Sequence, residues 1–370
     1  MIPISKPLLG DEEKKMVLEV LESGNLAQGD VVKQFEEEFA SFCGVKYAVA
    51  VNSGTAALHS AIHALGIGKG DEVITVPFTF AASANPIIME GAKPVFVDVK
   101  PNYFNIDVDK IEEKITNKTK AILYVDLYGQ PANYDKIAKI AKKHKLFVIE
   151  DACQAHGAKI GDRFAGSFGD IACFSFYATK NMACGEGGMI TTNNEEYAEL
   201  CKRFRHHGQS EKTRYEYVDL GYNYRLTNVL AAIGLAQLRK LPGFTKKRIA
   251  NANKLSKGLE GLPGITVPKL LPGAKHVFHQ YTIICDNKII KRDELLKYLR
   301  SKGIGAGIYY PKPLHLHPHF AKLGYKEGDF PVSEMLAKSV LSLPIHPSLS
   351  DSDINLIIDT IKEFYEVATK

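Results

Sequence analysis

Between about residue 46 and residue 192 the chain alternates short apolar runs with segments of helical period. This alternation restricts the possible fold more than any other feature of the sequence. The apolar runs lie at 47–51, 72–76, 94–98, 121–126, 146–149, 171–176 and 188–192. Helical segments at 56–65, 81–89 and 134–144 fall between them. A strand that is one unbroken apolar run is buried on both faces, the condition of a parallel sheet covered by helices. The pattern therefore predicts an α/β unit with a mostly parallel sheet. Two amphipathic helices, 11–23 and 30–42, precede it, joined by the loop 24–29.

Beyond residue 203 the texture changes. RFRHHGQSEKTRYEYVDL is polar and aromatic and reads as an excursion with little regular structure. An apolar helix over 226–238 is expected to break at Leu241, Pro242 and Gly243, with a charged helix over 244–259. Strands near 280–284 and 307–310 and helices at 292–301, 332–340 and 351–367 read as a smaller α+β unit. The boundary is placed near residue 240, giving units 1–240 and 241–370. The 370 residues are enough for two such units.

With 45% apolar and 24% charged residues the chain is globular in composition. Its net charge of +5 is spread over pairs such as Lys14–Lys15 and Lys246–Lys247 on helix faces, so no nucleic-acid partner is expected. Six cysteines without a CxxC pair read as reduced core thiols. The start lacks an apolar leader and no run has membrane-spanning length, so a cytoplasmic protein without membrane contact is expected. His315, His317 and His319 lack the i, i+4 spacing of a helical zinc pair, and no metal site is expected.

Three stretches carry chemistry. In GDIACFSFYATKNMACGEGG (169–188) a strand ends just before Lys180, and Gly185, Gly187 and Gly188 follow. A Schiff base to an aldehyde cofactor wants an amine freed from bulk water in this way; a solvated lysine on a turn fits the stretch equally well. In HKLFVIEDACQ (144–154) a buried strand ends at Glu150 and Asp151, with Gln154 three residues on. Ligands in open α/β sheets sit beyond the carboxyl ends of strands. Pyridoxal phosphate (PLP) needs a lysine for its aldehyde carbon and a carboxylate for its pyridine nitrogen, although a plain ion pair would use the same two residues. In AVAVNSGTAAL (48–58) a strand runs into Ser53, Gly54 and Thr55, and helix formers begin at Ala56. This is the form of a phosphate cradle, and also of an ordinary capped helix. Ser175 could add a hydroxyl to the same phosphate. Cradle, ring carboxylate and lysine follow in the chain order of a fold-type I PLP enzyme. Phe80, after the strand 72–76, could stack on the pyridine face; Phe78 and Phe80 as simple core is the alternative. Gln154 could reach the cofactor's phenolic oxygen, and His156 reads as a packing residue.

SGTAAL, PFTF, EDACQAHGA, FSFYATKNMACGEGG and GYNYRLTN together resemble the nucleotide-sugar aminotransferases of the DegT-like group, fold-type I members of the aspartate aminotransferase superfamily. The likeness runs from ISKPLLGDEE to LSLPIHP. It implies a PLP-dependent enzyme that moves an amino group from an amino acid, glutamate in this family, to a keto group of a nucleotide-linked sugar. HLHPHF and GDFPVSE resemble enzymes of 3-keto sugars, in amino-sugar and polysaccharide biosynthesis. A 4-keto sugar substrate, or a non-catalytic regulatory or scaffold protein of the same fold, is the alternative. Related dehydratases carry histidine where Lys180 stands, and no GxGxxG marks a nicotinamide enzyme.

The resemblance further implies that Asn223 reaches the phosphate from a neighbouring subunit, making a homodimer with shared sites. It places Arg225 on substrate anions, Asn25 in a loop bordering the substrate pocket, and Tyr309 and Tyr310 along the sugar-contact stretch. Tyr309 stands where the family commonly has histidine.

Overall fold

The structure, a computed structural model, describes residues 1–210 and 213–368. Among these residues the central sheet has seven strands: β1 (Tyr47–Val51), β2 (Glu72–Thr75), β3 (Lys93–Phe96), β4 (Thr119–Val125), β5 (Phe147–Asp151), β6 (Ile171–Ser175) and β7 (Gly188–Thr192). Their order is β1-β7-β6-β5-β4-β2-β3. β7 alone runs against its neighbours; the other pairings along the sheet are parallel. The period of two along each strand sends side chains to two cores. Val49, Val51, Ile171 and Cys173 pack with the helix Gly54–Ala64. Ala48, Ala50, Phe174 and Phe176 face Phe35 and Phe39 of the helix Asp30–Cys43. Helices on both faces, as the alternation predicts, bury the sheet and leave its strand ends as the accessible edge.

A second sheet, β8 (Ile265–Thr266), β9 (Tyr281–Cys285) and β10 (Val340–Leu343), is antiparallel and pairs in that order. It packs on the helices Arg292–Ser301 and Asp351–Ala368 through Ile283, Leu295, Leu299, Leu341, Ile357 and Ile361. The strand expected over 307–310 is reduced to one bridge, in which Gly307 and Ser342 exchange N–H···O bonds of 3.1 and 2.8 Å. The chain then leaves the sheet, because the Tyr309 carbonyl accepts from the Tyr128 hydroxyl of the large unit. Pro311 could not have continued the ladder in any case. The helix expected over 332–340 ends at Ser339, and the apolar run after it becomes β10.

The expected break at Leu241, Pro242 and Gly243 does not occur. One helix runs from Asn228 to Leu259 with Pro242 inside it. Proline removes its own N–H bond to the carbonyl four residues back. The buried positions Leu235, Leu238, Leu241, Thr245, Arg248, Ala252, Leu255 and Leu259 keep three- and four-residue spacing across it. Packing of that continuous stripe carries the helix through. Leu235, Leu238 and Leu241 join the core around Phe35, whereas Ala252, Leu255 and Leu259 join that of the small unit. The division expected near residue 240 falls inside this helix, and we propose that the helix joins the two units. Among the described residues no helix is long and apolar enough to cross a membrane.

Glu13 ties the first helix to this long one. It is 2% exposed and accepts from the Gly10 N–H (2.7 Å), Gln237 Nε2 (2.7 Å) and Lys240 Nζ (2.6 Å). Burial pushes its carboxyl up, but the bonds from Lys240, Gln237 and Gly10 outweigh burial and hold it at about 2. A carboxyl held below its unfolded value adds stability above that value and loses it on protonation. Glu13→Ala should lower the unfolding free energy by about 2 kcal/mol at pH 7, read from the urea midpoint. The gap to the unsubstituted protein should close as pH falls from 4.5 toward 2.

Candidate active site

Strand register builds the site. Val51 pairs with Gly188, and Gly188 with Ser175, so three strand ends lie side by side. A Cβ at Gly188 would stand 2.3 Å from the Ser53 carbonyl oxygen, and one at Gly54 would stand 2.7 Å from Ser175 Cβ. Only glycine at both positions lets the helix Gly54–Ala64 begin directly over the ends of β6 and β7. Ser53 caps that helix, its Oγ accepting from the Ala56 N–H at 3.1 Å. Ala56 itself is buried behind the cradle, whereas Ser53, Gly54, Thr55 and Ser175 line the cleft in front of it. First-turn N–H groups have no partner within the helix, so the cradle offers donors to an anion.

Asp151 ends β5 on the same side and is 4% exposed. Its Oδ2 accepts from the Ser83 hydroxyl at 2.7 Å and its Oδ1 from the Cys153 N–H at 3.2 Å. The Ser83 hydroxyl is in turn 2.9 Å from that of Thr79. This relay fixes the carboxylate, and the sequence reading missed it. Its signal is the pair of hydroxyls four residues apart in PFTFAAS. Behind Asp151 lie the fully buried carboxyls of Asp126 and Glu150. Glu150 accepts from the N–H groups of Gly166 (2.9 Å) and Phe168 (3.3 Å), Asp126 from that of Ala132 (2.8 Å). Burial raises both, Glu150 to about 7. Repulsion from Glu150 adds to the rise of Asp126, and repulsion from Asp151 to that of Glu150, so the neutral form is favoured and the negative charge behind Asp151 is limited.

Lys180 lies in the turn after β6, its N–H bonded to the Tyr177 carbonyl at 2.8 Å. Burial lowers its ammonium below the ordinary lysine value, and Cys153 and Asp151 oppose that shift. The lowered value suits an amine that must give up its proton. Gln154 accepts from the Tyr128 N–H at 2.7 Å and donates to the Tyr310 hydroxyl at 3.2 Å. The two phenylalanines divide: Phe78 is wholly buried, and Phe80, 59% exposed, stands over the cleft. Tyr310 faces Phe80 with ring centroids 6.2 Å apart, and Tyr309 lies beside it on the cleft wall. The cleft holds about 400 Å³, a usual size for a small-molecule site.

Asn25, Asn223 and Arg225 lie outside this cleft. The Asn25 carbonyl accepts from Asn228 Nδ2 at 2.8 Å. Asn223 is exposed, its carbonyl accepting from Asn52 Nδ2 at 3.2 Å, and Arg225 Nη1 sits 2.7 Å from His206 Nδ1. His279 and Gln280, unforeseen from the sequence, enter the cleft from the small unit. Burial, and then Lys180, keeps His279 neutral. His156 is sealed between the rings of Phe174 and Phe176 and held near 3 by burial, a packing role. His315 is buried against Glu334 at 3.0 Å and His317 bonds to the Lys312 carbonyl, so those histidines serve the small unit's own structure.

Residues 7–362 match the DegT/DnrJ/EryC1/StrS aminotransferase family. The chain is 46% identical to a "pleiotropic regulatory protein" of Geobacillus stearothermophilus, over 96% of this chain and 95% of that one. It is 39% identical to a dTDP-3-amino-3,4,6-trideoxy-alpha-D-glucose transaminase of Streptomyces venezuelae, covering 96% and 92%. Among solved structures it is similar to S. venezuelae DesV in complex with a ketimine intermediate, with 39% identity, 96% and 94% coverage and a TM-score of 0.92. An amine, a fixed carboxylate and an anion cradle in one cleft agree with these likenesses, and the chain belongs to the DegT/DnrJ/EryC1/StrS aminotransferase family.

Proposed function

We propose that this aminotransferase uses PLP to move an amino group from L-glutamate to the 3-keto group of a nucleotide-linked sugar, in amino-sugar and polysaccharide biosynthesis. The observation that carries the reading is the meeting of Lys180, Asp151 and the Ser53–Gly54–Thr55 cradle around one cleft. The residues fit the cofactor. The cradle is too tight for a Cβ at Gly54 yet lined with donors, and Asp151 is held toward the cleft by Ser83. When bound, PLP supplies the electron sink for a carbanion at the donor α-carbon.

Lys180 would hold the aldehyde carbon until the donor amine displaces it, and its freed Nζ would then take the proton from the donor α-carbon and pass it to the cofactor carbon that bears the amino group. A group that both accepts and donates works best with a pKa near ambient pH, which the burial of Lys180 favours. Asp151 would hold the pyridine nitrogen, Gln154 the phenolic oxygen, and Phe80 one ring face. Ser175 would join the cradle on the phosphate. Asn223 and Arg225 lie off this chain's cleft, which supports a homodimer in which they serve the neighbour's site, and Asn25 would border that same mouth. Tyr309 and Tyr310 would meet the sugar. The name of the 3-amino-sugar transaminase relative supports C3, while GDP-perosamine synthases are relatives of like identity, and a 4-keto sugar is the competing substrate. The relative called regulatory raises a non-catalytic reading, and the intact lysine, carboxylate and cradle oppose it.

Lys180→Ala should fold, judged by circular dichroism, lose the visible absorbance that PLP confers and lose all turnover; wild-type-like turnover would exclude the lysine from the chemistry. The substrate is tested by incubating the protein with glutamate and either 3-keto or 4-keto nucleotide sugars, with mass detection of the aminated product. A product from the 4-keto set alone overturns C3.

Shared sites have a separate test. Mixing Lys180→Ala with Asn223→Ala under subunit exchange yields heterodimers with one doubly damaged site and one intact site. Activity should recover to roughly half that of a wild-type dimer per heterodimer. Heterodimers confirmed by mass but no more active than either parent would place both residues in the same chain's site.

A further inference from the structure

Arg248, on the long helix, is 5% exposed. Its Nη1 donates to the carbonyls of Phe278 (3.1 Å) and His279 (3.4 Å), while its Nε is buried without a partner. Among the described residues no carboxylate pairs with it. Burial brings its guanidinium down to about 10, which still leaves it charged at neutral pH. A buried charge without a counter-ion is costly, and two carbonyls satisfy only part of a five-donor fork.

The surroundings of Arg248 supply a reason. It borders a side chamber of about 290 Å³ whose other polar walls include Ser5, Thr179 and Gln280. Tyr177, Thr179, His279, Gln280 and Tyr309 line both this chamber and the main cleft, so the chamber opens off the cleft beside Lys180. After burial, Lys180 and Arg248 both lower the His279 imidazole, and Arg248 also bonds the His279 carbonyl. No acidic side chain lines the chamber.

We propose that this chamber is the subsite for a carboxylate of the amino-acid donor, with Arg248 as its counter-ion, while the nucleotide-linked sugar enters by the wider cleft. The proposal rests on the aminotransferase reading above. A planar guanidinium pairs with a carboxylate through two parallel bonds, and Thr179 and Gln280 can satisfy the remaining lone pairs. The donor must bring a carboxylate to within a few bonds of its amino group, whereas the phosphates of a nucleotide-linked sugar are remote from the reacting carbon. One site thus receives two unlike substrates by offering each its own anchor. A chamber of this size has room for a small amino acid.

The test uses the PLP-loaded dimer. Arg248→Gln should raise the KM for glutamate about 10- to 100-fold, the loss expected for a charge-assisted pair, and by at least tenfold more than it raises the KM for the keto sugar. Arg248→Lys should recover part of the difference. The helix packing of Arg248 could make these variants misfold, so the wild-type protein is also treated with phenylglyoxal and Arg248 modification followed by peptide mass. Glutarate should slow that modification, and a nucleoside diphosphate should not. An unchanged glutamate KM, absence of protection by glutarate, or protection by the nucleoside diphosphate instead would each overturn the subsite. If the wild type transfers no amino group from any donor, the function itself fails; transfer with an unshifted KM in Arg248→Gln removes the subsite alone.

Discussion

Every part of the site depends on how closely the helix Gly54–Ala64 approaches the ends of β6 and β7. Its first turn meets Ser175 and the Gly188 backbone at distances no Cβ would tolerate. The approach makes the anion cradle, and it also places the cradle across from Asp151, because β5, β6 and β7 are adjacent in the sheet. A larger residue at Gly54 or Gly188 would move the helix as a body, since the helix is itself packed into the main core through Ala57, Leu58 and Ala61. Interiors this dense shift as units instead of yielding locally.

Around this frame, burial sorts the titratable groups by sign and role. Lys180 is lowered, the Asp126–Glu150 pair is raised, and His156 and His279 are kept neutral. Each shift has desolvation as its leading cause, so the cleft is a region where unpaired charge is disfavoured. Asp151 keeps its place there through the Ser83 and Cys153 donors. Arg248 is the exception, a buried cation served only by carbonyls, and an anionic substrate group would complete it.

The long helix Asn228–Leu259 connects this chemistry to the rest of the chain. Its first half packs on the core beneath the cradle and its second half on the small unit, from which His279, Gln280, Tyr309 and Tyr310 reach the cleft. Glu13 pins the helix from the other side through Gln237 and Lys240. The cleft is therefore assembled from residues more than 200 positions apart in sequence, such as Ser53 and Tyr310.

Much of this was legible beforehand. Unbroken apolar runs and helical segments fold only as a covered parallel sheet, and a sheet of that kind presents its strand ends, so Ser53, Asp151 and Lys180 could be gathered at one edge from their positions alone. Local rules misled where packing overrode them. Pro242 marks a break only if no buried stripe continues past it, and Val340 reads as the end of a helix until its pairing with β9 is known. Phe78 and Phe80 are alike in sequence; which one faces the cleft depends on the turn after β2. The hydroxyl pair Thr79 and Ser83 did not name its partner, and Arg248 had no signal of function in its own segment, because their roles arise from what stands opposite them. The sequence by itself determined the layered architecture and the identity of the reactive groups, since both follow from periodicity and residue chemistry along the chain. The tertiary structure decided which hydroxyl holds the carboxylate, which ring covers the cleft and where a buried charge is left unpaired, since each of these depends on contacts between segments that the chain order keeps apart.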